Sequence, residues 1–294
     1  MSHAATSPTQ LRAAAIIARL AVRESVRRRV LLVVVALTAA FLVLYALGAT
    51  FAFRESNGVA TGDIPLDDRA LTGATLLGLA MFATLFLGAI LATFLTMGVV
   101  RGDAETGMLQ PLVARPAARG TILLARFAGA GVISAAYVIV VYLAALAITA
   151  AVGDWSPDRP AQAALLLALA VVTITAVSLL ASVWLASTAQ GIAVLMIYGG
   201  GITAGLLGQI GDALGSDSLE QVSVVTSWLL PFEAVYQEAL YALTADTTGI
   251  TSFVLSLGPF GGARSGGAGL IAFSFAYIAA LLALATWGFR RRDL

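Results

Sequence analysis

The sequence predicts an all-α membrane protein with six transmembrane helices and both ends in the cytoplasm, and three observations predict it. Of its 294 residues 60% are hydrophobic and 11% charged, and the mean hydropathy is +0.94; a globular chain is about half apolar and about a quarter charged. The apolar residues form six blocks, most of them longer than the ~20 residues that cross a bilayer core. Arginines and carboxylates segregate between the segments joining those blocks, and cytoplasmic segments carry the arginine excess.

The elements follow in chain order. A short polar tail precedes a helical pattern over 11–29, where Arg12, Arg19, Arg23 and Arg27 share one face, with Glu24 beside them, and Leu11, Ala14, Ala18 and Val22 lie opposite. A basic amphipathic helix of this kind lies in the membrane interface. Arg27-Arg28-Arg29 end it, and 30–53 is the first span. A cleaved signal sequence is the alternative, but the apolar stretch is about twice the usual signal core, so an uncleaved anchor is expected. The remaining spans are 71–100, 121–152, 161–186, 191–210 and 268–289. The second and third exceed the length a crossing needs and are expected to tilt or project.

The segments before span one, between spans two and three, and after span six hold 13 of the 17 arginines and four of the 16 acids. The opposite side holds four arginines and 12 acids. That asymmetry puts both termini inside. The long outer segment contains two amphipathic stretches over 218–245, broken at Pro231, with Trp228, Phe232, Tyr236 and Tyr241 around the break. Proline suits the first turn of a second helix, and such aromatics favour the headgroup level. A helix pair dipping into the outer leaflet is expected, with a solvated hairpin as the alternative.

Several chemistries are excluded. There is no cysteine, and the only histidine is His3 in the tail, so thiolate nucleophiles, Ser-His relays and Cys- or His-ligated metal sites have nothing to build on. No catalytic or metal-binding residue is assigned. All 17 basic residues are arginine; a phosphate-binding loop needs its lysine, so the chain cannot hydrolyse ATP by itself. No basic patch interleaved with aromatics points to nucleic acid. No carboxylate lies inside a span, which disfavours an ion-coupled carrier. Gly208 to Asp212 is one residue off the spacing of a membrane aspartyl protease motif and lacks a second membrane aspartate. Within the spans, Gly201 and Gly205 have the small-xxx-small spacing of close helix packing, within the chain or across a dimer. Thr173, Thr175, Ser178 and Ser182 either line a polar path or bond back to their own helix.

The segment 101–119 is the most informative. Asp103 and Glu105 stand at the start of a short helical stretch, where carboxylates suit the helix dipole. Met108, Leu109, Leu112 and Val113 form an apolar stripe, and Pro116 closes the stretch. A short helix of this kind suits a groove on a partner; the alternative is an ordinary loop on the membrane.

Glu105-Thr-Gly107-Met108-Leu109-Gln-Pro-Leu112-Val-Ala-Arg-Pro116-Ala-Ala-Arg119, followed by Arg126, resembles the E-x-G-T-L-x-x-L-L-x-x-P-x-x-R run after the second span of type-2 permeases of ATP-binding-cassette (ABC) transporters. Met108 stands where that family has threonine, Pro111 is unusual, and Arg126 replaces a lysine. The 11–29 helix resembles the family's elbow helix, with Arg19, Arg23, Glu24 and Arg27 its charged residues. The paired helices before the last span are similar to the family's too.

The resemblance implies the permease subunit of an exporter in the bacterial plasma (inner) membrane, forming one permease domain. Two ABC ATPase subunits would carry ATP and Mg²⁺, and this chain would bind no cofactor. A second copy or a related permease would complete the dimer. Arg101, Asp103, Glu105, Gly107, Met108, Leu109, Leu112, Pro116 and Arg119 would couple to the ATPase. Trp228, Pro231, Phe232 and Tyr236 would form an extracellular gate. A secondary transporter and a non-transporting scaffold or assembly factor are the other readings.

Overall fold

The computed structural model describes residues 29–56, 68–97, 119–247 and 265–291. The residues of the expected elbow helix ahead of Arg29, and 101–118 of the expected coupling segment, lie outside them. Among the described residues there is no strand. Eight helices follow one another in the described residues: α1 (Arg29–Ser56), α2 (Asp68–Thr96), α3 (Arg119–Gly153), α4 (Pro160–Trp184), α5 (Ser187–Leu214), α6 (Asp217–Leu229), α7 (Pro231–Tyr241) and α8 (Gly267–Arg290). Six of them, α1 to α5 and α8, are long and apolar enough to cross a membrane, as the sequence predicts. The chain is all-α because no backbone N–H or C=O can be left unpaired in hydrocarbon, and a helix pairs them within one segment.

The long helices alternate in direction. At one end Gly120 of α3 faces Thr286 and Arg290 of α8, Gly191 of α5 faces Met97 beyond α2, and Gly288 of α8 faces Trp184 of α4. At the other end Gly73 of α2 receives the ring of Trp155, and Gly153 of α3 that of Phe53 from α1. Arg119, Arg290 and Arg291 stand at the first end. Asp154, Asp158 and Asp246 stand at the second, Asp154 against Arg69, Asp246 against Arg159, and Asp158 against the Asp246 N–H.

The buried centre is α4, which packs against α2, α3, α5, α7 and α8. Leu167, Val171, Ile174 and Leu179 along it are fully enclosed. In a bilayer the hydrophobic effect does little to bring helices together, so close packing must do it. Gly88 illustrates the device: a Cβ there would stand 2.6 Å from Val138 Cγ2 and 3.1 Å from Val171 Cγ2, so its absence lets α2 approach α3 and α4 together. By contrast α1 turns Leu32, Val35, Leu44, Leu47 and Phe51 outward, a surface suited to lipid tails. Two hydroxyl pairs tie its inner side to α3: Tyr45 with Thr149 at 2.6 Å and Thr38 with Tyr137 at 2.5 Å.

The hydroxyl run of α4 resolves into two roles. Thr173, Thr175 and Ser182 each donate to a carbonyl of their own helix at 2.7–2.9 Å. Ser178 instead meets Thr96 at the end of α2, Oγ to Oγ1 at 2.7 Å. Gln190 at the start of α5 joins them, its Nε2 lying 3.2 Å from Thr96 Oγ1 and 3.0 Å from the Ser178 carbonyl. All three residues are buried, so α2, α4 and α5 are fastened where α2 runs on toward 101–119. Among the described residues the Gln190 side-chain Oε1 has no hydrogen-bond partner. Gln190→Leu, which removes that orphan and keeps the volume, is expected to shift stability by less than about 1 kcal/mol. Gln190→Ala, which removes the same amide but leaves a void, is expected to cost about 1–3 kcal/mol. Thermal unfolding of the two variants in the same detergent separates them.

Candidate functional site

The site is built around α7, eleven residues long and enclosed although it carries Glu233, Gln237 and Glu238. Pro231 occupies its first turn, where its missing N–H costs nothing. Phe232, Val235, Tyr236, Ala239 and Leu240 are buried, and so are two carboxylates, Glu233 and Glu238. The reason lies on α5. Gly201, Gly205 and Gly208 face inward, and a Cβ on each would run into Phe232, Glu233 and Ser223 respectively. Three missing side chains make a groove in α5 that admits α6 and the first half of α7. The glycine spacing read in the sequence therefore serves packing within the chain.

At the other end α7 is clasped to the α3–α4 connection. The N–H groups of Asp158 and Arg159 donate to the carbonyls of Leu243 and Ala242 at 3.1 and 3.0 Å, satisfying oxygens that a helix end leaves free. Arg159 Nη2 lies 2.6 Å from Asp246 Oδ1, and the Asp246 N–H donates to Asp158 Oδ2 at 2.8 Å.

The aromatics grouped around Pro231 in the sequence separate in space. Phe232 stacks on Tyr198 of α5, centroids 5.8 Å apart and planes at 15°, and Tyr236 Oη reaches the Gly78 carbonyl of α2 at 3.4 Å. Trp228 is 62% exposed on α6 and meets Phe273 of α8 edge-on at 4.8 Å. Beside it, Tyr277 Oη donates to the Leu229 carbonyl at 2.8 Å, closing the end of α6 onto α8. Of the expected coupling residues only Arg119 is described, as the first residue of α3. Arg101, Asp103, Glu105, Gly107, Met108, Leu109, Leu112 and Pro116 lie outside the described residues, as do Arg19, Arg23, Glu24 and Arg27.

The two buried glutamates are the residues that reading the sequence missed. They are not in a spanning helix, so the absence of carboxylates from the spans stands, but the bundle encloses them all the same. The Glu233 carboxylate accepts a short hydrogen bond from Gln237 Nε2, one turn on, in the space that Gly205 leaves. Glu238 accepts the N–H of Gly267, which takes φ +62°, a conformation that favours glycine. Among the described residues its Oε2 has no hydrogen-bond partner. The signal was present as Gly201, Gly205 and Gly208 at one-turn spacing opposite a short helix.

Burial pushes the Glu238 carboxyl above the ordinary glutamate range, with the Gly267 N–H pulling the other way. The folded protein thus holds this proton more tightly than the unfolded chain. The stability that follows is fully present below the unfolded value of about 4.3 and is lost as the pH rises through the raised folded value. Glu238→Gln, which cannot ionise, is expected to unfold at a higher temperature than the parent at neutral pH, with the gap closing toward pH 4. Paired melting curves across that range check it.

Tested against known proteins, the family model described as ABC-2 family transporter protein matches residues 15–294. No curated protein matches the chain.

Proposed function

The chain belongs to the ABC-2 transporter family and is a multi-pass membrane permease of an ABC transporter, and from that premise we propose that it is an exporter subunit driven by a separate ATPase. The single observation carrying the family is a match over nearly the whole chain. The absence of lysine supports placing ATP and Mg²⁺ on partner chains. Two ATPase subunits and a second permease, identical or related, complete the proposed assembly.

In this reading the arginine-rich end of the bundle, with both termini, faces the cytoplasm of a bacterial plasma membrane. The segment 101–119, entered from α2 and left through α3, is the prong that docks on the ATPase. Closure of the ATPases on ATP displaces that prong, and the Thr96–Ser178–Gln190 fastening passes the displacement from α2 to α4 and α5. At the far end α6 and α7, with Trp228, Pro231, Phe232 and Tyr236, form the gate. Co-purification tests the core of it: the tagged chain drawn from its native membranes carries an ABC ATPase with it. Cargo movement down an ion gradient by the isolated chain, without such a companion, overturns it.

A further inference from the structure

We propose that the end of α8 binds the headgroup of an anionic phospholipid, with the phosphate between the guanidinium groups of Arg290 and Arg291 and the glycerol against Trp287. On a helix that turns about 100° per residue, Arg290 stands about 60° to one side of Trp287 and Arg291 about 40° to the other. The contacts agree with that placement. The guanidinium of Arg291 lies over the Trp287 ring, 4.1 Å from its centroid. Arg290 reaches the other way, its Nη2 3.8 Å from where a Cβ on Gly120 of α3 would stand. All three side chains are exposed. The inner face of the same turn is taken by Phe289, which is buried, and by Gly288, against which Trp184 of α4 packs.

The chemistry of this face selects the ligand. Tryptophan settles at the headgroup level of a bilayer, and Trp287 and Trp184, 49% and 48% exposed, mark that level on α8 and α4. One turn deeper on the same side Leu284 is 53% exposed, on a helix long and apolar enough to span, so acyl chains meet an apolar wall directly below the arginines. Carbonyls at a helix C-terminus attract cations, which by itself favours arginine at the end of α8. It does not account for two arginines flanking a half-exposed ring on the side turned to lipid. Guanidinium forks match the oxygens of a phosphate, and among the described residues neither arginine is in an ion pair. A zwitterionic lipid would bring its own ammonium beside these charges; phosphatidylglycerol brings none, and basic clusters where a spanning helix leaves the bilayer attract such lipids. The site requires that α8 cross the membrane and does not rest on the exporter reading.

The test uses the full-length chain in neutral detergent micelles, titrated with phosphatidylglycerol or with phosphatidylcholine of the same acyl chains, the retained lipid being counted by native mass spectrometry. The parent is expected to retain phosphatidylglycerol about tenfold more tightly than phosphatidylcholine. Arg290→Gln with Arg291→Gln is expected to remove most of that difference. Arg54→Gln with Arg69→Gln removes the same charge at the other end of the bundle and is expected to keep it. Trp287→Ala leaves both charges in place and is expected to weaken phosphatidylglycerol binding about threefold; it carries the test alone should the double arginine variant fail to fold. Excess inorganic phosphate is expected to leave the lipid bound to the parent. Equal retention of the two lipids by the parent, the same loss in both double variants, unchanged binding in Trp287→Ala, or displacement by inorganic phosphate overturns the proposal.

Discussion

Chain purified with Glu105→Arg and Leu109→Asp together is expected to come without the ATPase that accompanies the parent. Both residues belong to the segment proposed to dock, Glu105 at its acidic start and Leu109 in its apolar stripe. A docking helix in a groove draws most of its affinity from a few anchors. Replacing an apolar anchor with a carboxylate and inverting a neighbouring charge is expected to cost about 2–4 kcal/mol, roughly 30- to 1,000-fold in affinity. The conservative pair Glu105→Gln and Leu109→Met keeps the shape of the stripe and is expected to retain most of the association. Quantifying ATPase per permease by immunoblot, with the thermal stability of each variant measured alongside, gives the result. Unchanged association in the double charge variant would show that the ATPase sits elsewhere.

The second large effect is expected at the seam between α5 and α7. A Cβ on Gly201 would lie 2.5 Å from Phe232 Cζ, and Phe232 is fully buried and stacked on Tyr198. Gly201→Leu therefore drives α7 out of its groove and is expected to abolish transport while leaving ATPase association intact, since the contact lies midway along α5, away from the segment 101–119. Phe232→Ala empties the same place and is expected to lower stability by about 3–5 kcal/mol. Combined, the two changes partly relieve one another: the leucine fills the space the ring vacates. Their coupling is expected to be about 0.5–3 kcal/mol of recovered stability. Strict additivity in chemical or thermal unfolding would show that the two positions do not share a contact.

The spans were legible because length and apolarity are written residue by residue and the bilayer demands both. The spans expected at 268–289 and 71–100 fall on the helices Gly267–Arg290 and Asp68–Thr96, with 98–100 outside the described residues. The enclosure of α7 was not legible. Glu233, Gln237 and Glu238 make it amphipathic, and such a stretch is expected in the outer leaflet or as a solvated hairpin. What buries it is missing volume on another helix, and a glycine read in isolation does not say which neighbour fills its place. The same holds for Gln190, Thr96 and Ser178, far apart in the chain: each is an ordinary polar residue until three helix ends meet.

The clasp between Asp158, Arg159 and the carbonyls of Ala242 and Leu243 has a mechanical consequence. It bolts the short inner helix to the central one, so the two travel as a single lever. Against α5 the same helix is keyed in place, with Phe232 and Glu233 seated where Gly201 and Gly205 have no side chain and Phe232 stacked on Tyr198.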